Sequence, residues 1–490
     1  MSQADPVTSC RNAPRYLCIP HLLADYAEHT PDALAILAPG RAPLTYGRLQ
    51  QHMADVLQML HILRLGRHDR IALVLPNGPE MAVTFLSVAA GATCVPLNPA
   101  CGMSEFDLYF TGLHAKAVIV QAGMDSPARA MAHAHGLRII ELSPVLEAEA
   151  GIFTLAGEQS ADVAYREYAQ SADVALVLST SGTTARPRFV PLTHTAVCTA
   201  AHDMGVALAL VESDRLLNVM PLFHGHGLIA TLLASLTAGA SVVCPPGFDA
   251  SRFFAWMREF RPTWYSAVPT IHQAILGRAA LNRETIASCP LRLIRSSSAA
   301  LPPQVLTELE RVFHAPVIEA YGMTEVPSIA CNPLPPRPRK TGSVGVATGP
   351  EVAIMDDRGI LLPAGETGEV VVRGVSVMQG YDNDPLATRH AFTHGWLRTG
   401  DQGFLDTEGY LFITGRFKEI INRGGEKIAP QEVDDVLMDH PAVAQAVTFA
   451  VPDARLREEI AAAVVLRQHA TATERAVSYT HLTLPTNREV

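Results

Sequence analysis

Apolar residues in the first half of the chain alternate between two periods. Leu44 to Leu57 carries them at helical spacing, while Arg70-Ile-Ala-Leu-Val-Leu-Pro76 is a continuous apolar run that ends in a Pro-Asn-Gly turn. Met81 to Ala90 returns to the helical period, and Cys94-Val-Pro-Leu-Asn98 reads as another short strand. The rhythm continues with strands expected over 214–220, 241–244, 263–268 and 291–296, and helices between them. Such alternation predicts a mainly parallel sheet covered by helices. After about Pro333 the texture changes. Val344 to Ala353, Gly368 to Gly374 and Gly409 to Thr414 are β-rich and glycine-punctuated, which predicts a small barrel or sandwich. A compact αβ module begins at Lys418.

The expected fold class is therefore α/β. Residues 1–417 form a large multi-sheet N-terminal domain with two α/β subdomains and a β-rich lobe. Residues 418–477 are expected to form a small α+β C-terminal domain, and 478–490 a tail of different texture. A chain of 490 residues exceeds what one core holds, so several units are expected. With 48% hydrophobic and 18% charged residues it is globular, and a net charge of −10 gives no reason to expect nucleic acid or an anionic membrane surface. His226 to Phe248 carries no charged residue, yet its Thr, Ser and Gly content and its Pro-Pro-Gly end predict a buried helix and strand rather than a membrane span. The eight cysteines form no Cys-x-x-Cys pair, which fits neither a disulfide framework nor zinc. A reduced cytosol suits them, no secretory signal opens the chain, and a cytoplasmic location is expected. Nothing in the sequence sets an oligomeric state.

The most informative stretch is Val174-Ala-Leu-Val-Leu-Ser-Thr-Ser-Gly-Thr-Thr-Ala-Arg-Pro-Arg188. A strand opening into hydroxyls, one glycine and two arginines offers backbone N–H groups, side-chain donors and positive charge to one small volume. Polyphosphates need that combination. It is not a Walker loop, because Gly-x-x-x-x-Gly-Lys-Ser/Thr is absent and Phe189-Val190-Pro191 reads as extended. Alone it could equally be an ordinary Ser/Thr/Gly turn.

Further motifs follow in order: Pro221-Leu-Phe-His-Gly-His-Gly-Leu228, Glu319-Ala-Tyr-Gly-Met-Thr-Glu325, Gly395-Trp-Leu-Arg-Thr-Gly-Asp401, Gly415-Arg-Phe-Lys-Glu419, and Asn422-Arg-Gly-Gly-Glu-Lys-Ile-Ala-Pro-Gln-Glu432. From about Leu44 to Leu466 this set resembles the adenylate-forming superfamily of acyl-CoA synthetases, peptide-synthetase adenylation domains and beetle luciferases. The resemblance implies a two-step ligase. A carboxylate attacks the α-phosphate of ATP to give an acyl-adenylate and pyrophosphate, and a thiol, with coenzyme A the expected acceptor, then displaces AMP.

The same resemblance distributes roles. Thr180, Ser181, Gly182, Thr183 and Thr184 match the loop that holds the β- and γ-phosphates, with Arg188 where the family carries lysine. Ser298, Ala299 and Tyr321 match the adenine site, Thr324 the α-phosphate contact, and Glu325 the carboxylate that holds Mg²⁺. Asp401 and Arg416 match the ribose contacts, Lys418 the catalytic hinge, and Gly424 with Gly425 the pantetheine channel. Read singly, Tyr321 fits plain core, Asp401 a turn residue, Gly424-Gly425 a flexible turn between helix and strand, and Lys418 a solvated charge.

His224 and His226 would share a face if they lay on a strand, but they lack the carboxylate or cysteine companions of a metal site. His224 matches the family's gate between acyl pocket and CoA channel. Thr263 to Gln273, Leu291 to Leu301 and Asn332-Pro-Leu-Pro335 resemble the oxalyl-CoA synthetase branch. A small dianionic acid such as oxalate would suit a pocket offering His224, His226 and Ser297. Three other readings stand beside it: a fatty or aryl acid–CoA ligase, acyl loading of a free carrier protein, and an impaired protein that only binds ATP or acyl-adenylate. The last draws on one departure. The family carries an adenylation lysine near the end of the small domain, and no lysine follows Lys427 here. The tail from Ser478 resembles foreign sequence, so against the family's size the small domain, 418–477, is expected to be incomplete and the natural C-terminus to differ.

Overall fold

A computed structural model describes residues 15–157, 167–180, 187–424, 426–453, 455–467 and 470–473. Among them lie three sheets. In the seven-stranded sheet, parallel strands Arg70–Val74, Thr93–Pro96, Ala117–Gln121 and Arg138–Pro144 form the centre. The hairpin Val174–Ser179 with Phe189–Thr193 closes one edge. Helices Tyr46–Ile62 and Pro79–Ala89 fall where the apolar period changes. Thr45 caps the first, its hydroxyl accepting from the Arg48 N–H at 3.3 Å.

The second sheet holds 15 strands. Its parallel part runs Leu34–Leu37, Ser241–Val243, Arg215–Asn218, Trp264–Ala267, Leu293–Ser297 and Val317–Met323. Both faces are covered. Leu216, Trp264, Leu293 and Ile318 point into one apolar core, and Leu217, Tyr265, Ile294 and Val317 into another. Full burial on both sides explains why these strands read as continuous apolar runs rather than alternating ones.

The β-rich region differs from expectation. Its strands do not close on themselves: Gly345–Ala347 pairs with Val326–Cys331 on one side and Tyr410–Arg416 on the other, extending the large sheet. The edge that a barrel would satisfy by closure is satisfied by the body of the molecule. Gly345 makes the junction possible, because at φ 93° an added Cβ would lie 2.1 Å from the Cys331 backbone. The β-rich stretch that begins at Val344 holds two strands, Gly345–Ala347 and Glu351–Met355, separated at Thr348-Gly349-Pro350. Proline has no N–H to give a ladder.

The stretch from His226 is a helix with a π-helical segment over Leu228–Leu233, followed by the strand Ser241–Val243. Among the described residues no helix is long and apolar enough to cross a membrane. The small domain has a four-stranded antiparallel sheet and the helix Pro430–Met438, around a core of Val433, Leu437 and Val443. It touches the body where Gln445 Nε2 donates to Gln273 Oε1 at 3.2 Å.

Candidate active site

Leu293–Ser297 and Val317–Met323 run parallel with Ser297 opposite Ala320, so their C-terminal ends finish side by side. Open α/β sheets bind ligands at that end. Ser297 does not offer its hydroxyl to this cleft: it is buried and donates to the Ala320 carbonyl at 2.8 Å. The next residue does face outward. Ser298, at φ 73°, turns the chain out of the strand, and it and Ala299 are exposed at the rim.

Val317–Met323 folds back onto Val326–Cys331 through the two-residue turn Thr324-Glu325. Gly322 permits this, since a Cβ there would sit 2.5 Å from the Pro327 carbonyl. Glu325 is only 6% exposed, and its carbonyl accepts from the Met378 N–H at 2.9 Å. Tyr381 donates its hydroxyl to Glu325 Oε1 at 2.7 Å, and the Arg188 guanidinium lies 5.3 Å from the centre of the Tyr381 ring. Burial first, then the Glu325 charge, pushes the Tyr381 phenol up, so it remains a donor at neutral pH. At the base of the hydroxyl loop the Thr180 N–H donates to the Arg188 carbonyl at 2.9 Å. Tyr381 therefore couples that loop to Glu325. The next residue anchors the same hairpin: Asp382 donates its N–H to the Phe189 carbonyl at 2.9 Å and accepts two hydrogen bonds from Arg70, at 2.6 and 2.9 Å. Ser181, Gly182, Thr183 and Thr184 lie outside the described residues, as does Gly425.

Asp401 and Arg416 face each other across adjacent antiparallel strands. Arg416 Nε donates to Asp401 Oδ1 at 2.7 Å, and the Tyr321 hydroxyl donates to Oδ2. Asp401 is 3% exposed, whereas the Arg416 side chain is 56% exposed. Asp401 lies within a strand rather than a turn, and Tyr321, packed against the core as its plain reading expects, also carries its hydroxyl to that buried carboxylate. Burial and the Asp401 charge hold the Tyr321 phenol well above its usual pKa.

His224 and His226 sit at the start of a helix, not on a strand, so their rings do not share a strand face. Among the described residues no group of three or more His, Cys, Asp or Glu is placed to hold a metal. His224 is exposed to solvent, yet the protein packed around it lowers its pKa through desolvation. His226 is held on both nitrogens, Nδ1 3.0 Å from Ser298 Oγ and Nε2 2.7 Å from Ser266 Oγ. Arg295 Nη1 reaches both His226 Nε2 at 3.0 Å and Ser266 Oγ at 3.1 Å. Burial and the nearby Arg295 charge drive the His226 pKa well down, so the ring is neutral.

Lys418 follows the strand Tyr410–Arg416 in an exposed turn, and the Phe417 N–H donates to the Gly400 carbonyl at 3.0 Å. Gly424, at φ 62°, follows the strand Ile421–Arg423, which pairs antiparallel with Glu426–Ile428. Both flanks are strands, not the helix and strand expected.

Tyr381, Ser266 and Arg295 escaped the sequence reading. Arg295 sits inside a quoted motif but reads as one more charge in an arginine-rich chain. Tyr381 lies 56 residues from its partner Glu325, in text that resembles any polar loop.

The profile of the AMP-binding enzyme family matches residues 23–382, and that of the AMP-binding enzyme C-terminal domain matches 432–482. The chain belongs to the AMP-binding enzyme family. It is 42% identical to the oxalate–CoA ligase of Arabidopsis thaliana, over 92% of this chain and 89% of that one. It is 36% identical to the sulfoacetate–CoA ligase of Cupriavidus necator, over 93% and 89%. Among solved structures, ATP-bound MatB from Rhodopseudomonas palustris superposes with a TM-score of 0.85 at 29% identity, covering 95% of this chain and 93% of that chain. The α/β class and the adenylate-forming resemblance are thereby established, along with the branch of acid–CoA ligases that use ATP.

Proposed function

We propose that this AMP-binding enzyme activates a small dianionic acid, oxalate first among them, as acyl-adenylate and passes it to coenzyme A. The acid-side wall of the cleft carries this reading. His226, hydrogen-bonded on both nitrogens, and the exposed Ser298 hydroxyl form a polar surface. A fatty or aryl chain would take the exposed Ser298 hydroxyl out of water and give it no hydrogen bond in return. The two relatives above are named for oxalate and sulfoacetate, both small acids with two negative charges.

In the first step an oxygen of the substrate carboxylate bonds to the α-phosphorus of ATP, and the bond to the β-phosphate oxygen breaks. Attack places negative charge among phosphate oxygens, so catalysis rests on fixed donors and position. Thr324 on the hairpin turn would reach an α-phosphate oxygen. Asp401 would accept from the ribose hydroxyls with Arg416 beside it, and Tyr321 would lie along the adenine. Thr180 and Arg188 stand at the base of the loop assigned to the outer phosphates. A divalent ion suits Glu325, whose Oε2 has no hydrogen-bond partner among the described residues. One carboxylate plus substrate phosphates is the ligand set Mg²⁺ favours, and the ion would offset the phosphate charge. In the second step the CoA sulfur bonds to the acyl carbon and AMP leaves, with Lys418 at the hinge and Gly424-Gly425 along the channel.

The test is a panel of acids at equal concentration with ATP, Mg²⁺ and CoA, read by thioester formation. It is run beside equilibrium binding of each acid in the presence of a non-hydrolysable ATP analogue. Oxalate should lead in both. Octanoate or benzoate leading would replace this reading with the fatty or aryl alternative.

A further inference from the structure

Arg295 is 2% exposed, and a fully buried arginine is ordinarily paired with an acid. Here, among the described residues, no carboxylate pairs with it. Nη1 donates to His226 Nε2 and Ser266 Oγ, while Nε is buried with no partner. Among the described residues, the Cys331 thiol is the neighbour that favours its charge, and burial opposes it. Burial lowers its pKa to about 10, so the guanidinium remains positive at neutral pH. A buried charge of this kind is costly unless something negative compensates it.

The surroundings show where such a charge would act. Asn218, Ser266 and Arg295 lie opposite one another on three adjacent parallel strands, near their C-terminal ends. Arginine can only donate, so His226 Nε2 must carry its lone pair and the ring proton must sit on Nδ1. Nδ1–H therefore donates to Ser298 Oγ, which leaves the Ser298 hydroxyl proton free to point into the cleft. The chain Arg295–His226–Ser298 starts at a buried positive charge and ends at an exposed donor. Each bond polarises the next, so the rim donor is strengthened toward an anion.

We propose that Arg295 is the positioning residue that sets charge specificity: through His226 and Ser266 it makes the acid pocket select substrates bearing a second negative group beyond the reacting carboxylate. This inference rests on the reading of the substrate as a small dianion. The reacting carboxylate meets the phosphate-side groups, and the second one requires its own countercharge. The fixed Nδ1–H tautomer supplies a donor rather than an acceptor at that point.

The experiment measures equilibrium binding of oxalate and of glycolate, a monoanion of similar size, to the full chain with a non-hydrolysable ATP analogue present. Arg295→Met should weaken oxalate by 30-fold or more and leave glycolate and the ATP analogue within twofold. Arg295→Lys should restore part of the oxalate preference, and Arg295→Gln gives the same reading as the Met variant if that one fails to fold. An oxalate-to-glycolate ratio unchanged in the neutral variants overturns the inference alone. Equal losses for oxalate, glycolate and the ATP analogue also overturn it, since they mark a structural wedge. A wild-type chain that prefers glycolate overturns the dianion reading, and this inference with it.

Discussion

Replacing Asp401 with Asn isolates the ribose contact in one step, because the amide keeps the volume and removes the charge. Asp401 is 3% exposed and holds Arg416 Nε at 2.7 Å, with the Tyr321 hydroxyl on its other oxygen. Two terms decide the outcome. The Arg416 pair contributes little to stability, since its side chain is 56% exposed and solvent screens it. The Tyr321 hydroxyl can donate to the amide oxygen as it did to the carboxylate. The ribose term is larger. Hydrogen bonds to a charged acceptor contribute about 1.5–3 kcal/mol, and Asp401 would take them from the ribose hydroxyls. At about 1.4 kcal/mol per factor of ten, loss of that charge should weaken ATP by roughly 10- to 100-fold. Titration calorimetry with a non-hydrolysable ATP analogue reads the affinity, and a thermal melt reads the fold. Affinity within twofold of the native chain, at an unchanged melting temperature, would refute the ribose assignment. The double variant with Arg416→Ala then reports whether the two residues act as one contact.

Tyr381→Phe removes the hydroxyl on Glu325 and keeps the ring beside Arg188, so Mg²⁺–ATP affinity should fall by roughly 5- to 30-fold with little change in the melt; calorimetry at fixed Mg²⁺ checks this. Gly345→Ala forces a Cβ to within 2.1 Å of the Cys331 backbone at φ 93°, and urea unfolding should show a loss of about 3 kcal/mol or more. Burial, and then Asp435 on the facing helix of the small domain, raises the Glu319 pKa to about 7. An acid with a raised folded pKa contributes stability below its unfolded value, and that contribution is lost as pH rises through about 7. Thermal melts from pH 5 to 8 should therefore decline, and Glu319→Gln should flatten the decline.

The sequence by itself determined the class of fold and the family, because both rest on signals that are local along the chain. Apolar runs flanked by helical periods mark a covered parallel sheet. Motifs such as Glu319 to Glu325 and Gly395 to Asp401 carry their chemistry within a few residues. The tertiary structure decided what depends on pairing between distant segments. It merged the β-rich strands into the large sheet, because Gly345–Ala347 found an open edge on Val326–Cys331. It turned Ser297 inward to the Ala320 carbonyl and gave the rim to Ser298, a difference of one residue that strand alternation fixes only once register is known. It brought Tyr381 to Glu325 and set Arg295 beside Ser266 and His226. A buried charge with no carboxylate beside it among the described residues is defined by everything around it, and no stretch of sequence contains that information.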